Sequence, residues 1–173
     1  MNWFLNTLLG WARRAPPRIT CTRGIWEAGV HELARRTLSE TRESGAYLLG
    51  RTLKTGVHEI LEFIFYDDVD PKALATGIVT IRETALPRLW EICRARGYGV
   101  VADVHVHPGG YGQSASDQAG PVMPRAGHIA FILPNFARGN PKPGAIGMYE
   151  FLGDGRWADH SPHGSRFLKL GWS

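Results

Sequence analysis

Cysteine is scarce in this chain of 173 residues, which contains only Cys21 and Cys93. Neither has a second cysteine at C-x-x-C spacing, so neither belongs to that kind of zinc motif. Small disulfide-stabilised secreted domains carry many more cysteines in shorter chains. We therefore expect two free thiols in a cytoplasmic protein.

Long hydrophobic runs are also missing. No apolar stretch approaches the roughly 20 residues that cross a bilayer, so we predict no transmembrane segment. Residues 1–17 form a short amphipathic segment in which apolar residues precede Arg13 and Arg14. A signal peptide has its positive charge first. We expect a helix from Trp3 to Arg13 that docks on the main domain, with dimerisation or contact with a partner or membrane surface as alternatives.

Basic residues are spread along the chain. The formal net charge is +4, and the only adjacent basic residues early in the chain are Arg13-Arg14 and Arg35-Arg36. A nucleic-acid-binding surface would need a basic patch or stripe, so no nucleic-acid partner is predicted. The chain is 43% hydrophobic and 21% charged, which is ordinary for a globular protein. We expect residues 18–173 to form one domain.

The hydrophobic pattern predicts an α/β domain over residues 18–173. Apolar residues at near-helical spacing predict two long helices, at about residues 26–40 and 84–96. Short apolar or alternating runs predict the strands, at about residues 46–52, 58–66, 78–81, 100–107, 126–133 and 146–152. Asp154-Gly155 signals a hairpin turn after the last of these. We expect a mixed, mostly antiparallel sheet flanked by the two helices.

Residues 100–117 carry the clearest chemical signature. Strand alternation would place Val100 on the face of Val106, and Val101 on the face of His105 and His107. Residues two apart on a strand lie about 6.5–7 Å apart, so both imidazoles can reach one metal ion. Pro108 ends the strand, and a glycine-rich turn leads to Ser114 and Asp117. Two imidazoles, one carboxylate and a water position are typical of a catalytic zinc site.

These residues resemble the H-x-H-P…S-x-x-D signature of the JAMM/MPN+ zinc metallopeptidases, which include the prokaryotic JAB proteins. The matching residues are His105, His107, Pro108, Ser114 and Asp117. Val106 stands where the family usually has Ser or Thr, and the loop from His107 to Ser114 is one residue shorter than the commonest family spacing.

A second family signature, E-x-x-G-x-L-x-G, resembles residues 43–50, ESGAYLLG. Glu43, Leu48 and Gly50 are in register, and Ala46 replaces the family's first glycine. The two linked motifs together imply a single JAB/MPN-type domain with a cytidine-deaminase-like fold.

The resemblance also implies roles for the site residues. One Zn²⁺ would be bound by His105, His107 and Asp117, with a catalytic water as the remaining ligand. Glu43 would be the general base for that water, and Ser114 would stabilise the oxyanion. Ser116 is the alternative if the shorter loop shifts the register. No other cofactor is implied.

JAMM enzymes that this chain resembles cleave after the C-terminal tail of ubiquitin or a ubiquitin-like protein. We expect a bacterial deubiquitinase-like isopeptidase or maturation peptidase, and an antiphage conjugation system is one possible setting. Its partners would be a ubiquitin-like protein with its conjugates, and homologues of ubiquitin-activating and ubiquitin-conjugating enzymes. The alternatives are a catalytically inactive MPN-type scaffold, a RadC-type JAB protein linked to DNA processing, and an amidase acting on a small molecule or carrier protein.

The remaining candidate residues carry weaker signals. His31, His58 and His128 have the pattern of ordinary core or surface histidines, and Asp103 is expected to support a metal ligand through a hydrogen bond. His160 and His163 suggest a second metal site only weakly. The H-E-x-x-H motif of other zinc peptidases is absent from the sequence. The loops at 67–77 and 134–145 are candidate substrate contacts.

Overall fold

The computed structural model describes residues 15–171, which form an α/β fold around one eight-stranded mixed sheet. The expected helix from Trp3 to Arg13 lies outside the described residues. Within them, no helix combines the length and the apolar character that a membrane crossing requires.

The order of neighbouring strands across the sheet is β7-β6-β5-β4-β2-β3-β1-β8. Pairing is antiparallel for β2–β3, β2–β4, β5–β6 and β6–β7, and parallel for β1–β3, β1–β8 and β4–β5. The predicted mixed sheet is confirmed. The strands are β1 (Ile19–Thr22), β2 (Gly45–Thr52), β3 (His58–Phe65), β4 (Gly99–Val106), β5 (Ile129–Leu133), β6 (Gly147–Gly153), β7 (Arg156–Asp159) and β8 (Leu168–Gly171).

The α-helices are α1 (Arg23–Arg36), α2 (Tyr66–Val69), α3 (Leu86–Arg96) and α4 (Ala115–Ala119). Helix α1 begins and ends earlier than predicted, because the Thr22 hydroxyl accepts a hydrogen bond from the N–H of Ile25 and Thr37 forms the C-cap. Gly97 ends α3 as predicted, with a left-handed φ of 70°. Short 3₁₀-helices lie at Glu83–Ala85, Asn135–Ala137 and Ser161–Arg166.

Two hydrophobic clusters contain alternate residues of β2, which face opposite sides of the sheet. One cluster contains Ala46 and Leu48 with Trp26 of α1, whose ring packs edge-on against Phe131 at 5.9 Å. The other contains Tyr47 and Leu49 with Leu89 and Cys93 of α3. Cys21 and Cys93 are both buried and unbonded to each other, and burial raises the pKa of the Cys21 thiol to about 12.

Two β-bulges overturn part of the predicted strand alternation. In β4, Leu48 pairs with Ala102 and Leu49 with Val100, so Val101 is the extra residue. Val101 therefore joins the α1-side cluster with Val106, whereas Val100 packs on the α3 side. The expected placement of Val100 and Val101 is wrong.

The second bulge lies in β3, where Leu49 pairs with Glu62 and Gly50 with Ile60. Ile60 and Ile64, which regular strand alternation would place on one face, therefore belong to different clusters. A Cβ on Gly50 would lie 1.8 Å from the carbonyl oxygen of Glu59. The final glycine of the 43–50 motif is thus required by the close approach of β3.

The strand predicted at 78–81 is absent, because its backbone bonds to other groups. The N–H of Val79 donates to the Glu43 carboxylate at 3.3 Å, and the N–H of Thr80 donates to the carbonyl of Ala73 at 2.8 Å. The segment lies beside Glu43, which precedes β2.

Candidate metal centre

The two motif histidines lie at the C-terminal end of β4, inside the sheet. His105 is held by the ladders to both neighbours, opposite Gly45 of β2 and Ile132 of β5. His107 follows the strand, and its N–H donates to the carbonyl of Leu133 at 2.9 Å. Ligands on central strands are positioned by the sheet and not by a flexible loop.

The carboxylate of Asp117 reaches the histidines from helix α4. Ser114 is the N-cap of this helix: its hydroxyl accepts from the N–H of Asp117 at 3.1 Å, and the Asp117 carboxylate accepts from the N–H of Ser114 at 2.7 Å. This reciprocal capping box fixes the Asp117 side chain. The shorter loop before Ser114 therefore still delivers Asp117 to the site.

The three side chains converge on one point. The Nε2 atoms of His105 and His107 lie 2.9 Å apart, and each is 3.3 Å from an oxygen of Asp117. Ligand atoms bound tetrahedrally at about 2.0–2.1 Å from Zn²⁺ would lie about 3.3 Å from one another. These three residues could hold one metal ion, and within the described part of the chain they form the one such group found.

The charges in this group are mutually stabilising. Burial raises the pKa of the Asp117 carboxyl, but the hydrogen bonds from His105 and His107 outweigh burial and hold that pKa well below its usual range. Burial lowers the pKa of His105, yet the Asp117 carboxylate and the more distant Asp103 and Glu43 raise it overall. An anionic carboxylate beside two imidazoles is the state that binds a divalent cation.

Glu43 and Ser114 line the same small cavity of about 80 Å³ as His105 and Asp117. Ser116, the alternative serine, also lines it. The backbone N–H of Glu43 donates to the carbonyl of Gly77 at 2.8 Å, and its carboxylate accepts from the N–H of Val79. The fold thus gathers residues of both motifs, Glu43 with Ser114, His105 and Asp117, around one cavity.

An open groove of about 420 Å³ continues from this cavity. One wall is segment 78–81, and the other is formed by residues 120–124. The predicted contact loops lie elsewhere: residues 67–77 precede the first wall, and residues 134–145 support the metal loop, where the N–H of Phe136 donates to the carbonyl of His107 at 2.8 Å. Apart from two prolines and a glycine, no sequence feature marks residues 120–124 as part of a groove.

Asp103 is expected to hydrogen-bond to a metal ligand, but its partners are other side chains. Its buried carboxylate accepts from the hydroxyl of Tyr66 at 2.9 Å and lies 2.6 Å from Nε2 of His128. Tyr66 and His128 form a buried polar cluster with it, behind His105 on the α3 side of the sheet. Sequence reasoning missed both partners, because Tyr66 fitted a strand pattern and His128 fitted an ordinary core histidine.

His160, His163 and His31 lie outside the candidate metal group. His160 lies 3.1 Å from a carboxylate oxygen of Glu150 and stacks on Phe167 at 4.4 Å. The rings of His160 and His163 are 5.6 Å apart, but among residues 15–171 no third ligand completes a second metal group there. His31 is exposed on α1.

Comparison with known proteins gives the fold and nothing on activity. No family model matches the sequence. The chain is similar to the solution structure of protein DSY2949 from Desulfitobacterium hafniense, with a TM-score of 0.62, 16% identity, and coverage of 90% of this chain and 94% of that one. It is also similar to the solution structure of a Salinibacter ruber protein, with a TM-score of 0.51, 18% identity, and coverage of 82% and 88%. At these identities the likeness shows a shared α/β architecture.

Proposed function

We propose that this protein is a zinc-dependent peptidase of the JAMM type, with the JAB/MPN domain that its two motifs imply. The observation that carries the proposal is the convergence of His105, His107 and Asp117 beside a cavity that His105 and Asp117 line together with Glu43. Two neutral nitrogens, one carboxylate and an open side fit a catalytic zinc ion that retains a water. When bound there, zinc would supply a hydroxide nucleophile near neutral pH by lowering the pKa of that water.

Glu43 is positioned to move the proton. One of its carboxylate oxygens accepts from the N–H of Val79 at 3.3 Å, which orients the group and leaves the other oxygen for the attacking water. As a general base Glu43 would accept the proton from that water, and as a general acid it would pass the proton to the leaving amine. The Ser114 hydroxyl accepts from its own helix but retains its hydrogen, so it can donate to a developing oxyanion.

We infer that the substrate is the extended C-terminal tail of a bacterial ubiquitin-like protein, cleaved from a conjugate or a precursor in the cytoplasm. The groove between segment 78–81 and residues 120–124 adjoins the metal cavity and shares lining residues with it, which supports the entry of an extended chain from this side. Ile78 is exposed at the mouth shared by the two cavities and offers an apolar contact. Ubiquitin-activating and ubiquitin-conjugating enzyme homologues are the expected functional partners.

The first experiment measures bound metal by mass spectrometry. We expect about one zinc per chain in the wild type and in the exposed control His31→Ala, and loss of zinc in His107→Ala. Absence of zinc from the wild type after loading would contradict the proposal and favour the MPN-type scaffold.

The second experiment measures cleavage of fusions between bacterial ubiquitin-like proteins and a reporter. Glu43→Gln should retain zinc and lose cleavage, while Glu91→Gln on the exposed face of α3 should retain both. Zinc binding without cleavage of any such fusion, together with tight binding of duplex DNA, would favour the RadC-type alternative.

A further inference from the structure

We propose that a second cavity, at the opposite end of β4 from the metal centre, binds a phosphate-type oxyanion. This cavity of about 260 Å³ opens beside Val100 and Val101, whereas the metal centre uses His105. It shares no lining residue with the metal cavity. Its polar lining side chains are Arg18, Thr52, His58, Arg125 and His128. The proposal is independent of the proposed peptidase activity.

The lining is basic, and its members come from separate parts of the chain. Arg18 precedes β1, His58 begins β3, and Arg125 lies in the loop before β5. Among residues 15–171, no carboxylate lines the cavity. Two acids act on its lining: Asp103 lies 2.6 Å from Nε2 of His128, and Glu150 lies 3.3 Å from Arg18 and 3.1 Å from His160. Glu150 faces Arg18 and Asp103 faces His128, so within residues 15–171 Arg125 is the lining arginine that has no carboxylate at ion-pair distance.

Positive charge from Arg18 and Arg125 acts on His58 across the cavity. The pKa of His58 is lowered by burial first and then by the charges of Arg18, Arg125 and His128, while Glu150 opposes them. Like charges held together in this way favour the binding of an anion, because the anion removes their repulsion.

Hydrogen-bond donors remain for such an anion. Arg125 is exposed, and within residues 15–171 its guanidinium has no ion pair or hydrogen-bond partner, so its planar fork can bind an oxyanion through two parallel bonds. His128 is nine-tenths buried, and because its Nε2 donates to the Asp103 carboxylate, its Nδ1 carries a hydrogen for an anion only in the imidazolium form. His58 likewise uses Nδ1 on Thr52 at 2.9 Å and keeps Nε2.

The size of the cavity selects the ligand class. A volume of about 260 Å³ accommodates several molecules of water, each with a share of about 30 Å³ in the liquid, so a phosphate or a phosphate monoester can enter. A phosphate group presents at least three oxygens in different directions, so it can accept hydrogen bonds from donors on several sides of the cavity. We assign the site to a phosphate group, carried either by inorganic phosphate or by an ester.

The test is a histidine-selective NMR titration of the full chain with sodium phosphate at constant ionic strength. The ring signals of His58 and His128 should shift saturably, and that of the exposed His31 should not. Arg125→Gln should weaken binding at least tenfold. The matched control Arg94→Gln, an exposed arginine on α3, should leave it unchanged.

Separate arms distinguish the ligand sources and the metal centre. A nucleoside monophosphate that binds at least tenfold more tightly than phosphate would assign the site to an ester, and equal binding would assign it to the free ion. The titration is repeated in His107→Ala, where phosphate bound to a metal cannot contribute. The proposal is overturned if the His58 and His128 signals do not move, or if Arg125→Gln and Arg94→Gln bind phosphate equally.

Discussion

Val79 donates its backbone N–H to the carboxylate of Glu43 at 3.3 Å, across 36 residues of sequence. A second hydrogen bond lies beside it, from the N–H of Glu43 to the carbonyl of Gly77 at 2.8 Å. The wall of the groove and the proposed base are therefore one hydrogen-bonded unit. Any change that releases the 77–82 segment should also release Glu43.

The buried carboxylate of Asp70 anchors this segment, and we predict a pH-dependent effect of Asp70→Asn. Asp70 accepts from the side chain and the N–H of Arg82 and from the N–H of Lys72. The bond from Arg82 is the main reason that the pKa of Asp70 lies well below its usual range. The unfolded chain therefore binds this proton at a higher pH than the folded one, so the stabilisation is complete above about pH 4 to 5 and is lost as the pH falls further.

Differential scanning calorimetry from pH 2 to 7 checks this prediction. Asp70→Asn should lower Tm at pH 7, and its deficit relative to the wild type should shrink in acid. Glu91→Gln is the exposed control and should follow the wild type. A deficit that is constant across the whole range would show that Asp70 contributes through packing alone.

Zinc should stabilise the fold through the three ligands. A ligand that binds only the folded state at 100 times its Kd adds about 2.7 kcal/mol to the free energy of unfolding. We expect zinc to raise Tm in the wild type and in His31→Ala, and to have no such effect in Asp117→Asn or His107→Ala. Thermal unfolding with and without a chelator measures this, and equal zinc shifts in all four proteins would place the metal elsewhere.

Tyr66→Phe should destabilise the protein by about 1–3 kcal/mol, because the buried Asp103 carboxylate loses one of its two hydrogen-bond partners. Tyr98→Phe is the matched control, since no hydrogen bond of the Tyr98 hydroxyl is found in the described chain. Urea unfolding gives both values. A loss no larger than that of Tyr98→Phe would mean that Asp103 is satisfied by other groups.

Ser114→Ala separates capping from catalysis. Loss of the N-cap of α4 should cost about 1 kcal/mol of stability. If the hydroxyl also stabilises the oxyanion, kcat should fall about 10²–10³-fold while zinc content is retained. Ser116→Ala, on the neighbouring serine of the same cavity, should change kcat little. The reverse ranking would assign the oxyanion role to Ser116.

Gly50→Ala should be far more damaging than Gly99→Ala, although the two glycines pair across β2 and β4. A Cβ at Gly50 would lie 1.8 Å from the carbonyl oxygen of Glu59, whereas a Cβ at Gly99 meets nothing within 4 Å. Because backbone must move to accommodate the first, we expect at least about 3 kcal/mol of destabilisation, at the upper end for overpacking. Soluble expression and urea unfolding compare the variants, and equal stability would mean that the bulge relaxes freely.

Local pattern was sufficient for the mixed α/β class, for both principal helices to within three or four residues and for the hairpin at Asp154-Gly155, where φ is positive at both residues. Spacing was also sufficient to nominate His105, His107 and Asp117, because side chains two apart on a strand and a capped turn have fixed geometry. These features depend on neighbours in sequence, so the chain specifies them locally.

Tertiary structure alone decided which side chains meet across long separations. The bulges at Val101 and Leu61 reverse the alternation because they depend on where β2 pairs, and no local signal marks them. The partnership of Asp103 with Tyr66 and His128, and the capture of the 78–81 segment by Glu43, follow from burial: a polar group removed from water takes whichever partner the packed fold brings within reach. The sequence motifs therefore identify the candidate reactive residues, whereas tertiary packing determines which other residues hydrogen-bond to them.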